Sequence, residues 1–100
     1  MKPNAKTTDI ILSHYPATQA IYLFGSYDTS DEWEESDVDI AILLTPDESK
    51  KVGVLVLSDL RYELEKLLKK DVDLTNLRQA PTVLQKEIIT ADRRIYCANQ

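Results

Sequence analysis

The tripeptide Asp-Val-Asp occurs twice, at residues 37–39 and 71–73, and each copy opens a β-rich run. The first run continues as VDIAILL over 38–44 and the second reads DVDLTNL over 71–77. Side chains two apart in a strand leave the same face. Val72, Leu74 and Asn76 therefore point one way, and Asp71, Asp73 and Thr75 the other. Asp37 and Asp39 likewise share a face, while the apolar remainder of 38–44 reads as buried on both sides. A third β-rich run, AIYLF at 20–24, stops at Gly25 and so feeds a turn. Between these strands the pattern changes period. Residues 4–15 read as a short helix that buries Ile10, Ile11 and Leu12 and ends at Pro16. Pro46 breaks the strand before it. Residues 49–70 read as the longest helix, because Leu57, Leu60, Leu64, Leu67 and Leu68 recur at helical spacing and Glu65 stands four before Lys69. Its opening, VGVLVL, also suits a strand. Pro81 fits the first turn of another helix running to about residue 90, and 94–97 a last short strand. Strands alternating with helices predict an α/β (α+β) domain, a small mixed β-sheet flanked by helices.

One hundred residues make one small domain. With 43% hydrophobic and 29% charged residues, the chain is not a wholly disordered one. No apolar run approaches the ~20 residues of a membrane helix, and the polar opening carries no secretory signal. The one cysteine, Cys97, excludes an intrachain disulfide and a cysteine-based zinc site. A cytoplasmic protein with no membrane contact is expected. Charge is divided along the chain. Residues 7–49 hold ten acids and no Lys or Arg, whereas 50–100 hold ten bases and seven acids. So acidic a chain is poorly suited to binding nucleic acid directly, which runs on phosphate neutralisation.

The chemistry concentrates in Gly25-Ser26, ten further residues, and Asp37-Val38-Asp39. Gly25 stands where a strand turns sharply, a position that favours a residue without Cβ. Ser26 reads as the cap of a short helix with Asp28 and Asp31 in its first turn, and the free N–H groups there suit phosphate oxygens. Two adjacent carboxylates, Asp37 and Asp39, repel each other unless a cation lies between them, and oxygen donors of this kind suit Mg²⁺. If the two Asp-Val-Asp strands are neighbours, Asp73 or Asp71 completes a triad of the sort that supports phosphoryl or nucleotidyl transfer. His14 reads as a surface or packing residue, Cys97 as a small buried one, and Trp33 as a base-stacking ring, a loop anchor or a partner contact.

The GS–x10–DVD pattern, followed by DVDLTNL and APTVLQKEII, resembles the minimal nucleotidyltransferase (MNT) domain. This is the small branch of the DNA polymerase β-like superfamily found as antitoxin beside HEPN-domain ribonuclease toxins. The resemblance runs from YLFGS through RRIY. It implies the polymerase β-like fold over residues 1–100, with a C-terminus shorter than family members commonly have. It implies that Gly25 and Ser26 hold the triphosphate of ATP, and that Asp37 and Asp39 ligate Mg²⁺. Asp73 is implied as the third carboxylate, helping two ions and activating the attacking hydroxyl. The implied reaction is transfer of AMP from ATP to a tyrosine of the HEPN toxin. The alternatives are an antitoxin that acts by binding alone and a transferase for a small molecule. The stretch YDTSDEWEES after Ser26 departs from the family pattern, with five acids and no base. Bases for the triphosphate must then come from the second half, among Lys50, Lys51, Arg61, Arg78 and Arg93. Arg78, just past the Asp73 strand, is the expected nucleotide-binding one.

Overall fold

A computed structural model describes residues 4–25, 37–52 and 59–98. The elements run α1 (Asn4–His14), β1 (Ala20–Phe24), β2 (Val38–Leu43), α2 (Pro46–Val52), α3 (Asp59–Leu68), β3 (Val72–Asn76), a 3-10 turn (Leu77–Gln79), α4 (Thr82–Ala91) and β4 (Arg94–Cys97). The four strands form one mixed sheet in the order β3-β2-β1-β4. β1 is antiparallel to both β2 and β4, and β2 and β3 are parallel. A parallel pair needs a crossover connection, and here it carries α2 and α3.

Strand alternation sorts the sheet into two faces. Ile21, Leu23, Val38, Ile40, Ile42, Val72 and Leu74 bury one face against Ile11 of α1 and Leu60 and Leu64 of α3. Ala20, Tyr22 and Ala41 lie on the other, against Leu77 and Ile88. Each fully buried Ile or Leu contributes roughly 1.5–3 kcal/mol, so the first face carries most of the stability. The second is covered by α4 along β1. Asp37 and Asp73, on the same side of β2 and β3, stay exposed.

The expected helix over 49–70 is the main difference. Its N-terminal part is α2, which starts earlier, at Pro46. Thr45 precedes it and its hydroxyl accepts a hydrogen bond from the Glu48 N–H at 3.3 Å. Pro46 thus both ends the strand and opens a helix, since proline suits the first helical position. Its C-terminal part is α3, and the intervening 53–58, with most of VGVLVL, lie outside the described residues. The last helix runs one residue beyond its expected end and closes on Asp92, in the left-handed conformation at φ 50°, whose N–H bonds the Ile88 carbonyl at 3.2 Å. Of the three apolar residues expected buried in α1, Ile11 is fully so and Ile10 and Leu12 are half-buried. Cys97 is half-buried. His14 meets Glu63 at 3.2 Å on the surface.

Two contacts fix β3. Glu65 of α3 accepts the Val72 N–H at 3.0 Å, and Arg61, one turn earlier, donates to the Val72 carbonyl at 2.9 Å. Arg61 and Glu65 also pair with each other at 3.2 Å. At the far end, buried Asn76 accepts from the Ser49 hydroxyl at 3.0 Å and donates to the Ser49 carbonyl at 3.1 Å. A buried polar residue must be so satisfied, and this pair ties β3 to α2.

Candidate active site

The parallel pairing sets Asp39 directly beside Asp73, in register. Val38 N–H donates to the Asp71 carbonyl at 2.8 Å, which locks the two Asp-Val-Asp segments together at their start. Partner residues in a parallel pair share a face, so Asp37, Asp39 and Asp73 all belong to the second face, the one that α4 covers along β1. On its other side Asp39 is paired with Phe24, the residue before Gly25. Asp71 precedes β3 and is exposed, and Asp73 is the acid that the ladder aligns with Asp39.

Gly25 has φ +73°, a region L side chains rarely adopt. A Cβ there would fall on Oδ2 of Asp39. The glycine is therefore required twice over, by backbone conformation and by the carboxylate lying against it. Ser26, Trp33 and the acids between them lie outside the described residues.

Asp39 is half-buried, and its carboxyl is raised above the usual carboxylate range, first by burial and then by the charges of Asp73 and Asp37. Three acids are thus close enough to be felt electrostatically. Among the described residues, no three His, Cys, Asp or Glu side chains are gathered tightly enough to hold a metal ion as they stand. A cation would have to draw these carboxylates inward. A raised folded-state value means the folded chain binds protons more readily than the unfolded one. Stability of the metal-free protein therefore falls as pH rises from the ordinary Asp range through the raised value. Asp39→Asn in chelator at neutral pH is expected to melt at or slightly above the wild type. The gap should close below the ordinary Asp range, where both states are protonated. Thermal melts across pH check this, and a large loss would make Asp39 structural.

Arg78 is not brought to these acids. Its guanidinium donates to the Leu44 carbonyl and to Gln19 Oε1, the latter at 2.7 Å. Both lie at the opposite end of the sheet from Asp39. The strand advances roughly 3.3 Å per residue, so a residue that follows β3 is carried away from the strand's start. The base placed beside the site is Arg93, whose Nη1 donates to the Gly25 carbonyl at 2.8 Å. Arg93 also lines a cleft of about 350 Å³ with Phe24, Gly25, and Leu84, Glu87 and Ile88 of α4. The sequence clue to it was indirect. RIYC had to be a strand, and that strand had to pair with β1.

A mixed sheet whose parallel strands each bring an acid to one face, beside a glycine turn, is the frame of a nucleotidyltransferase. The chain belongs to the family described as Polymerase beta, Nucleotidyltransferase, which it matches over residues 6–100. It is 33% identical over 95 residues to the protein adenylyltransferase MntA of Shewanella oneidensis, a match covering 95% of this chain and 66% of that protein. The chain thus spans just under two thirds of that relative's length. A crystal structure of a toxin-antitoxin with AMP-PNP superposes with a TM-score of 0.76 at 31% identity, over 99% of this chain and 77% of the other. A structure of tri-AMPylated Shewanella oneidensis HEPN toxin in complex with MNT antitoxin matches at a TM-score of 0.66 and 31% identity, over 95% of this chain and 70% of the other. Among the described residues no helix is long and apolar enough to cross a membrane.

Proposed function

We propose that this chain is an antitoxin adenylyltransferase that moves AMP from ATP to a tyrosine of a HEPN ribonuclease toxin, with Mg²⁺. The carrying observation is the register of Asp39 with Asp73 beside the Gly25 turn. Similarity to a protein adenylyltransferase along nearly the whole chain supports the reaction, and the likeness to an AMPylated toxin–antitoxin complex supports the partner.

The donor set suits a hard divalent cation: carboxylate oxygens only, on two adjacent strands, with a glycine where any Cβ would occupy the space of one donor. Asp37, Asp39 and Asp73 would hold it, with room in the donor count for two ions. When bound, such ions shield the triphosphate and favour attack at the α-phosphorus. Gly25 and Ser26 then take the phosphates at the turn. Asp73 lies on the edge strand of the sheet and is exposed. It accepts the tyrosine hydroxyl proton as that oxygen bonds to the α-phosphorus. The bond from the α-phosphorus to the bridging oxygen breaks, and pyrophosphate leaves.

Intact mass of the co-expressed toxin tests the reading directly, since a gain of AMP that disappears with Asp37→Asn and Asp39→Asn is expected. Toxin rescue without any mass gain would point to neutralisation by binding, and no effect on a toxin at all to a small-molecule acceptor. The metal requirement has its own test. Titration calorimetry is expected to detect ATP binding in Mg²⁺ and none in EDTA, because the bare acids repel the triphosphate. Equal affinity in the two buffers would remove the metal from the site.

A further inference from the structure

Residues 7–49 contain no Lys or Arg, and the segment after Gly25 adds five acids. Residues 7–49 thus offer a triphosphate no cationic side chain, and the second half of the chain must supply one. The structure brings one there by a definite route. α4 ends at Ala91, Asp92 turns the chain in the left-handed conformation, and Arg93 is laid against β1, its carbonyl accepting the Leu23 N–H at 2.9 Å. From that anchored backbone the half-buried Arg93 side chain reaches the Gly25 carbonyl at 2.8 Å. Gly25 thus has Oδ2 of Asp39 where a Cβ would lie and a guanidinium on its carbonyl. The same guanidinium lines the cleft that opens beside the turn.

We infer that Arg93 is a phosphate-binding residue of the nucleotide site, the cation that receives the triphosphate at the Gly25 turn. The inference rests on the adenylyltransferase reading for the identity of its ligand. A guanidinium carries five N–H donors in a planar fork matched to phosphate oxygens. The bond to Gly25 fixes one arm and so aims the group, which reduces the ordering cost on binding. Glu87, also on the cleft wall, opposes an anion there. The contribution of Arg93 is therefore greatest for the most highly charged ligand.

The test measures Kd for ATP, ADP and AMP in Mg²⁺ with the wild type, Arg93→Gln and Arg93→Lys. Arg93→Gln is expected to weaken ATP on the order of tenfold or more, the scale of a lost charge-assisted hydrogen bond. The loss should shrink from ATP through ADP to AMP and narrow at high salt. Arg93→Lys should recover part of it, as a point charge without the fork. If Arg93 only pins the Gly25 turn, all three ligands weaken by the same factor and Arg93→Lys ranks by melting temperature instead, which would overturn the inference. ATP affinity unchanged in Arg93→Gln overturns it too, and leaves the adenylyltransferase reading standing. A wild type that binds no nucleotide overturns both.

Discussion

Replacing Asp73 by Asn is expected to stop AMP transfer, by ~10²-fold or more, the scale of a lost general base, while most Mg²⁺-dependent ATP binding survives. The two effects separate because the acids are not equivalent in the sheet. Asp39 lies between Phe24 and Asp73 on an interior strand, with Oδ2 against Gly25, and so faces the phosphate side. Asp73 is exposed on the edge strand, one position further from that turn. Asn keeps its shape but cannot take a proton. Val72 and Leu74 stay buried on either side of it, so the fold should be untouched and the toxin should still bind. Transfer is read from the partner's mass, ATP affinity by calorimetry, and protection by toxin rescue in cells. If Asp73→Asn rescues as well as the wild type and neither adds mass, the protein neutralises by binding. If ATP binding falls in step with transfer, Asp73 serves chiefly as a metal ligand.

Gly25→Ala is expected to be almost as damaging, for a different reason. At φ +73° a residue with a Cβ costs roughly 1–2 kcal/mol in the left-handed region. The Cβ would also displace the Asp39 carboxylate, which adds up to about 1–3 kcal/mol where that group is held in place. A domain this size loses roughly 4–8 °C in Tm per kcal/mol, so the variant should melt well below the wild type. Misplacing a supporting group by about 1 Å can cost on the order of 10²-fold in rate, and Oδ2 of Asp39 must shift by about that much. The two causes can be separated by a double-mutant cycle. With Asp39→Gly as background the collision disappears, and only the backbone part of the Gly25→Ala destabilisation should remain. A cycle showing no coupling would mean that Asp39 swings aside freely.

The parts of this site readable in the sequence are those set by local periodicity. Two-residue alternation put Asp37 with Asp39 and Asp73 opposite Val72 and Leu74, because that period belongs to the single strand. That β2 and β3 are neighbours could be supposed from the repeated Asp-Val-Asp but not obtained from it, since pairing depends on where the crossover helices pack. The helix over 49–70 misled because its leucine spacing is continuous in pattern. The competing signal is Thr45-Pro46-Asp47-Glu48, where one proline both breaks the strand and opens α2. Arg78 misled through nearness in sequence. It follows the strand that carries Asp73, and a strand takes the chain steadily away from its own beginning. Arg93 is far from Gly25 in sequence and reaches it only through the pairing of β4 with β1.

The alternation that sets Asp73 beside Asp39 also penalises errors in assembling the sheet. A one-residue slip of β3 would turn Val72 and Leu74 outward and drive Asp71, Asp73 and Thr75 among Leu60, Leu64 and Ile40. It would also break the hold of Arg61 and Glu65 on Val72 and the pairing of Asn76 with Ser49. No misregistered sheet keeps its core, so a molecule that has folded has already aligned its two acids. The alignment of the two acids is proofread by hydrophobic burial on the opposite side of the same strand. Substitutions that loosen that buried side, such as at Leu74, should then lower the fraction of molecules with an assembled site before they alter any group within it.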